Sequence, residues 1–377
     1  MTHLLDLSNE LIDLIVANLE RQDAFALRSC CRLLREATWS HCAKTWLIRL
    51  KIDVSDSGVR LYRLLVKQPR ICQSIKHLWL VLNPADHTSK HSGFYDTLRE
   101  YFSSLPSLET LTMERAESNV HWKRRSKDWY AQHEEASDQV VHIFLHLLVT
   151  PNRLRTIEIK SSDFRGWSDG LLKLDSLAVM ARASPLLQQN FASLVSLSIS
   201  LNTSMDSDPG CYDALPTFVK AIPTLEDLTI AGSKRPRAPG PPVIFRTLAE
   251  ATAGADQKLP RLKRLRLKFF PVEKDPLVRF IASHIRTLAK FQLDHVVLLE
   301  SWTPLDPTPR RIQVVSSWVD FMKEMEKVAF VQVRAAELLD GRPERAQRVR
   351  LDLWERTPVR IEKYSRAIEE GRETFVF

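Results

Sequence analysis

One apolar phrase recurs along most of the chain: an aliphatic residue, two others, an aliphatic residue, one other, an aliphatic residue. Ile75-x-x-Leu78-x-Leu80 is the first copy. Leu108-x-x-Leu111-x-Met113, Leu154-x-x-Ile157-x-Ile159, Leu194-x-x-Leu197-x-Ile199, Leu225-x-x-Leu228-x-Ile230, Leu262-x-x-Leu265-x-Leu267 and Leu288-x-x-Phe291-x-Leu293 follow, and Val328-x-x-Val331-x-Val333 is a candidate eighth. The second half of each phrase alternates apolar and polar residues, the period of a strand with one buried face. Helical patterns precede most copies, at 95–102, 139–148, 171–183, 212–221 and 278–288. Pro106, Pro151, Pro223 and Pro260 stand just before phrases, where proline ends a helix and turns the chain. The first fifty residues read differently. Leu11, Ile12, Ile15, Val16 and Leu19 share one face of a helix over 8–20, with Ser8 as N-cap and Glu10 at its positive end. A second helix is expected from 24 to 38, capped by Asp23, and a third from 40 to 50.

Helix, proline turn and short strand, repeated about seven times, resembles a leucine-rich-repeat solenoid. In that architecture no unit buries its apolar face alone, and stacking makes one continuous core. The central residues fall at 78, 111, 157, 197, 228, 265 and 291, so the units run from 26 to 46 residues. Regular repeats are about 20–29 residues long, so these carry insertions. The expected fold class is α/β: a three-helix N-terminal domain, then a curved solenoid with parallel strands on the concave face and helices on the convex face. Expected boundaries are 1–50 for the helical domain, 51–74 for a linker helix region, 75–335 for the solenoid, and 336–377 for a basic, partly helical cap or tail. A doubly wound α/β sheet is the competing reading, disfavoured by the recurring phrase and the scarcity of glycine.

Two segments at the N-terminus resemble an F-box. These are Leu5-x-Leu7-Ser8-Asn9-Glu10-Leu11-Ile12-x-x-Ile15-x-x-x-Leu19, and Asp23-x-x-x-Leu27-x-x-x-Cys31-Arg32-x-Leu34-Arg35. The resemblance covers roughly residues 4 to 50, and this chain has Leu7-Ser8 where the family usually carries Leu-Pro. It implies a three-helix domain that docks on the Skp adaptor protein and through it on a cullin ubiquitin ligase. Leu7, Ser8, Leu11, Ile12, Ile15, Leu19 and Leu27 are the candidates for the adaptor contact or for the core behind it; sequence does not separate those roles. The irregular units resemble those of fungal F-box/leucine-rich-repeat proteins. The function so implied is substrate recognition for an SCF-type ligase. The competing function is an interaction scaffold outside any ligase.

If the phrase residues point inward, the residues between them line the binding face. Arg264, Arg266 and Lys268 then put three cations on one strand, with Lys290 beside them. Such a patch suits an acidic or phosphorylated protein segment, because guanidinium groups grip carboxylate and phosphate oxygens in pairs. Trp79 and Lys160 are the other substrate-binding candidates. Trp79 is either an exposed hot spot or buried under the helical domain or the linker helix near 62–66.

Composition adds exclusions. The 377 residues carry 54 basic and 46 acidic side chains, a mild net charge of +8 that disfavours nucleic acid as the main partner. The apolar-rich run at 140–149 is too short for a membrane span of about 20 residues, and the N-terminus does not read as a secretory signal. Five cysteines without metal or disulfide spacing suggest free, buried thiols in cytoplasm or nucleus. Gly166-Trp167-Ser168-Asp169-Gly170 matches the nucleophile elbow but lacks a strand running directly into it. It reads as a loop, as does the basic, proline-rich stretch at 232–242. No catalytic residue, metal or cofactor is expected.

Overall fold

The computed structural model describes residues 4, 7–82, 92–116, 127–150, 153–160, 171–202, 209–232, 243–253, 259–269, 271–299, 320–321, 332–339, 348–354 and 374–376. Four short helices open the chain: α1 (Asn9–Ala17), α2 (Arg21–Cys30), α3 (Arg32–Ala37) and α4 (Trp39–Thr45). β1 (Arg49–Val54), α5 (Asp56–Val66) and α6 (Pro69–Ser74) lead to β2 (His77–Leu82). There follow α7 (Ser92–Ser104), β3 (Thr110–Arg115), α8 (Lys127–Leu148), β4 (Thr156–Lys160), β5 (Leu172–Lys173), α9 (Leu174–Arg182) and α10 (Ser184–Asn190). Next come β6 (Ser196–Asn202), α11 (Ala214–Lys220), β7 (Asp227–Ala231), α12 (Val243–Thr252), β8 (Arg264–Lys268), β9 (Pro271–Glu273), α13 (Lys274–His284) and β10 (Lys290–Leu299). β11 (Gln332–Leu339), β12 (Arg348–Trp354) and β13 (Thr374–Val376) complete the described elements.

The main sheet runs β1-β2-β3-β4-β6-β7-β8-β10 with every pairing parallel. All seven phrases form strands in this run, in one register. Leu78, Leu111, Ile157, Leu197, Leu228, Leu265 and Phe291 stand side by side, as do Leu80, Met113, Ile159, Ile199, Ile230, Leu267 and Leu293. Both rows are buried, and they share one hydrophobic core with helix residues such as Tyr101, Phe144, Leu177, Phe218, Phe245 and Phe280. The phrase therefore selects the register: a one-residue slip would turn every buried side chain to the opposite face. The short strands β5 and β9 pair with β6 and β10 in the same parallel sense.

Several expectations are corrected. The second helix is interrupted at Cys31, whose φ of −157° and ψ of 167° are extended, so α2 and α3 replace one continuous helix. The third helix stops at Thr45. The parallel sheet begins at Arg49 rather than at 75, because Leu50, Ile52 and Val54 alternate with Arg49, Lys51 and Asp53 and pair in register with β2. Within the region 51–74, α5 spans Asp56–Val66. It packs close to the end of β1 at Gly58, where an added Cβ would meet the Asp53 carbonyl oxygen at 1.9 Å. At the other end, Val333 lies on β11, which pairs antiparallel with β12 and not in the parallel run. β12 itself lies antiparallel to β10, and β13 antiparallel to β11. The described parts of 336–377 are thus strands and not helices. The Gly166–Gly170 motif and residues 233–242 lie outside the described residues.

Candidate docking surfaces

The N-terminal helices enclose a core of their own. Ile12 and Val16 from α1, Ala24 from α2 and Leu34 from α3 are buried together, with Leu7, Leu19, Leu27, Cys31, Ala37 and Trp46 packed around them. Arg28 fixes the corner: its guanidinium donates to the Arg35 carbonyl and the Thr38 hydroxyl and lies over Trp39. Ser8 caps α1 by position. It also bonds Glu10, whose carboxyl is held below its usual range, first by its backbone hydrogen bond and then by Ser8.

So small a core leaves apolar side chains outside. Leu11 is 48% exposed, Leu14 62%, Ile15 37% and Leu33 50%. Leu11, Leu14 and Ile15 occupy one face of α1 at spacings of three and four, and α3, which packs on α1, adds Leu33. This divides the sequence candidates. Leu11 and Ile15 are available to a partner. Ile12 is core, Leu7, Leu19 and Leu27 support the core, and Ser8 is an exposed cap. Leu14 and Leu33 were missed. The available signal was that apolar residues on α1 spread beyond the stripe a single small core can cover.

This domain meets the sheet body where α4 touches α6, and an exposed Arg70–Glu36 ion pair of 2.6 Å links α3 to α6. That guanidinium lowers the Glu36 carboxyl below its usual range, by its hydrogen bond and then by its charge.

The sheet face turned away from the helices carries the residues between the phrase positions. One registered row runs Lys51, Trp79, Thr112, Glu158, Ser198, Thr229, Arg266 and Gln292. Trp79 is half-buried and lies on this row, not beneath α5. Lys51 and Lys160 place their ammonium groups 4.7 and 5.3 Å from its ring centre, and His77 stacks nearby at 6.1 Å. Each such cation–ring contact is worth about 0.5–1 kcal/mol at an exposed site. Polar bonds cross from β2 to β4, His77 Nε2 to the Thr112 hydroxyl at 2.9 Å and that hydroxyl donating to Glu158 at 3.1 Å, and within β4 Glu158 pairs with Lys160 at 2.7 Å. Burial lowers the His77 pKa below its usual value, Arg49 and Lys160 add to this, and Glu158 opposes it. The Trp79 indole N–H is buried without an acceptor.

At the far end the four basic candidates do gather. Arg264 stands in register with Lys290, and Lys268 with Asp294. They are not a bare cationic patch. Asp227, one strand before, accepts from Nε and Nη2 of Arg264 with its two carboxylate oxygens, and Asp294, one strand after, accepts from Arg266 at 3.0 Å. Asp227 raises the Arg264 pKa through this bond. The expected row of free positive charges is thus largely compensated within the sheet.

Residues 4–45 match the F-box domain. The match begins just before α1 and ends with α4, so it spans the helices that enclose the small core. A comparison with curated proteins finds no match. The five cysteines are free thiols, with Cys42 and Cys72 buried but Cys30 exposed, contrary to the expectation that all are buried. Among the described residues no group of His, Cys, Asp and Glu is arranged to hold a metal, and no helix is long and apolar enough to cross a membrane.

Proposed function

We propose that this chain is the substrate-recognition subunit of an SCF-type ubiquitin ligase. Its F-box docks on the Skp adaptor protein and through it on a cullin, and its sheet body holds a protein client. The observation that carries this reading is the F-box match over 4–45 on a domain that leaves Leu11, Leu14, Ile15 and Leu33 uncovered. Exposed apolar side chains gathered on one helix face suit a partner site. The body is read as an irregular leucine-rich-repeat solenoid, supported by seven phrase strands in parallel register over one helix-covered core. The chain contributes no catalytic group; it acts by proximity, holding a client near the ubiquitin-charged enzyme. Cytoplasm or nucleus is the compartment that fits such a role.

Co-expression with the Skp adaptor tests this reading. The wild-type chain should co-purify with the adaptor. Leu14→Asp and Ile15→Asp should fold and lose it, because a charge in the contact would be desolvated without a partner. A folded wild-type chain that leaves the adaptor behind would refute the ligase role.

A further inference from the structure

We propose that the outer edge of β1 is a docking strand for an extended acidic segment of the client protein. The word client rests on the function proposed above; the edge itself does not depend on it.

Among the described residues β1 ends the sheet and pairs with β2 alone. In a parallel ladder, successive residues direct their N–H and C=O alternately to the two sides of the strand. The Ile48 carbonyl accepts from His77 N–H at 3.0 Å, so positions 48, 50, 52 and 54 serve β2. Positions 49, 51 and 53 therefore turn their backbone groups outward. The Asp53 carbonyl is taken by Ser55 N–H at 2.9 Å. Among the described residues nothing bonds the outward backbone groups of Arg49 or Lys51. An open edge of this kind is a template for an added strand.

Charge selects the occupant. Arg49 and Lys51 are exposed, and among the described residues neither has a carboxylate partner. This sets them apart from Arg264, Arg266, Lys263, Lys76 and Arg70, each paired with an aspartate or glutamate. Lys51 rests instead on the Trp79 ring, whose buried N–H lacks an acceptor. An orphaned donor of this kind carries a desolvation cost that an incoming acceptor relieves once the lysine swings aside.

An added strand sets its alternate side chains directly opposite Arg49, Lys51 and Asp53, about 4.5–5.5 Å away. Acidic residues fit the first two positions, and Asp53 repels an acid at the third. The segment is therefore acidic at two positions separated by one residue, with a neutral or basic residue at the next alternate position on the Asp53 side. Charged edges commonly serve only to keep strands apart; here the unpaired cations and the orphaned indole N–H together favour an acidic strand.

The test is a fluorescence-anisotropy titration of the full chain with a labelled, valine-rich peptide of about ten residues that carries glutamate at two alternate positions and threonine at the next alternate position on the Asp53 side. Two controls accompany it. One replaces each glutamate by lysine, and the other carries N-methyl groups on alternate residues, made in both phases. The glutamate peptide should bind saturably. The lysine peptide and one methylation phase should bind at least about tenfold more weakly, and Arg49→Glu and Lys51→Glu should each cost about tenfold. Both variants should keep the wild-type Tm and still capture the Skp adaptor, so this proposal and the ligase reading fail separately. Absence of saturable binding would overturn the proposal. So would equal binding of both methylated peptides, which would mean charge without strand pairing, or indifference to the two charge reversals.

Discussion

Neighbouring residues of α1 have opposite duties. Ile12 is fully buried while Leu14, two positions on, is mostly in water. Ile12→Ala should therefore cost about 2–5 kcal/mol of F-box stability, whereas Leu14→Asp should leave the melting temperature nearly unchanged. Thermal melts of the two variants check this, and equal destabilisation would contradict the assignment. Leu19 is a poor probe of docking, because it packs against the core and a charge there damages the fold first. His77 gives a pH signature. Its folded pKa lies below the value of about 6.5 expected when unfolded, so the unfolded chain binds the extra proton. The stability it contributes is fully present above about pH 6.5 and is lost as pH falls below it. Between about pH 7.5 and about pH 5.5, the wild-type Tm should fall further than that of His77→Gln. Identical slopes would show that His77 does not titrate in this way. The helical face of α1 was legible in the sequence. The division of its apolar residues was not, because it depends on how little surface α2 and α3 can cover.

At the scale of elements, the units are tied together by contacts that no local pattern announces. Arg246 on α12 donates from Nε and Nη2 to the two carboxylate oxygens of Glu273, and Glu273 ends β9 at the N-cap of α13 while being almost wholly buried. Arg246→Ala would remove the two-pronged partner of a buried carboxylate and should cost up to about 3 kcal/mol, and adding Glu273→Gln should restore part of the loss. Denaturant melts decide the matter, and a single variant as stable as wild type would show that water reaches Glu273. The strand phrases were readable because each places aliphatic residues at the spacing that one buried sheet face requires. β1 was not legible as a strand although Leu47-x-x-Leu50-x-Ile52 is a full copy of the phrase, because it follows directly on a helical segment whose pattern takes in Leu47 and Leu50. The pairs Arg264–Asp227 and Arg266–Asp294 were hidden for another reason. Each joins residues far apart in sequence, and only strand register brings them together.

The described residues form two cores of unequal size. A few residues hold the F-box together, while the second core runs from Ile52 under the sheet to Phe321. A domain with so little buried surface is marginal alone and gains stability from a partner that covers its exposed leucines. That partner is the central claim. Its most direct measurement is the mass, by light scattering, of the full chain purified after co-expression with the Skp adaptor, beside the same preparation of Leu14→Asp. The wild type should give a one-to-one complex and the variant a folded, uncomplexed chain. A wild-type chain that is folded and alone, or a Leu14→Asp chain that keeps the adaptor, would contradict the claim.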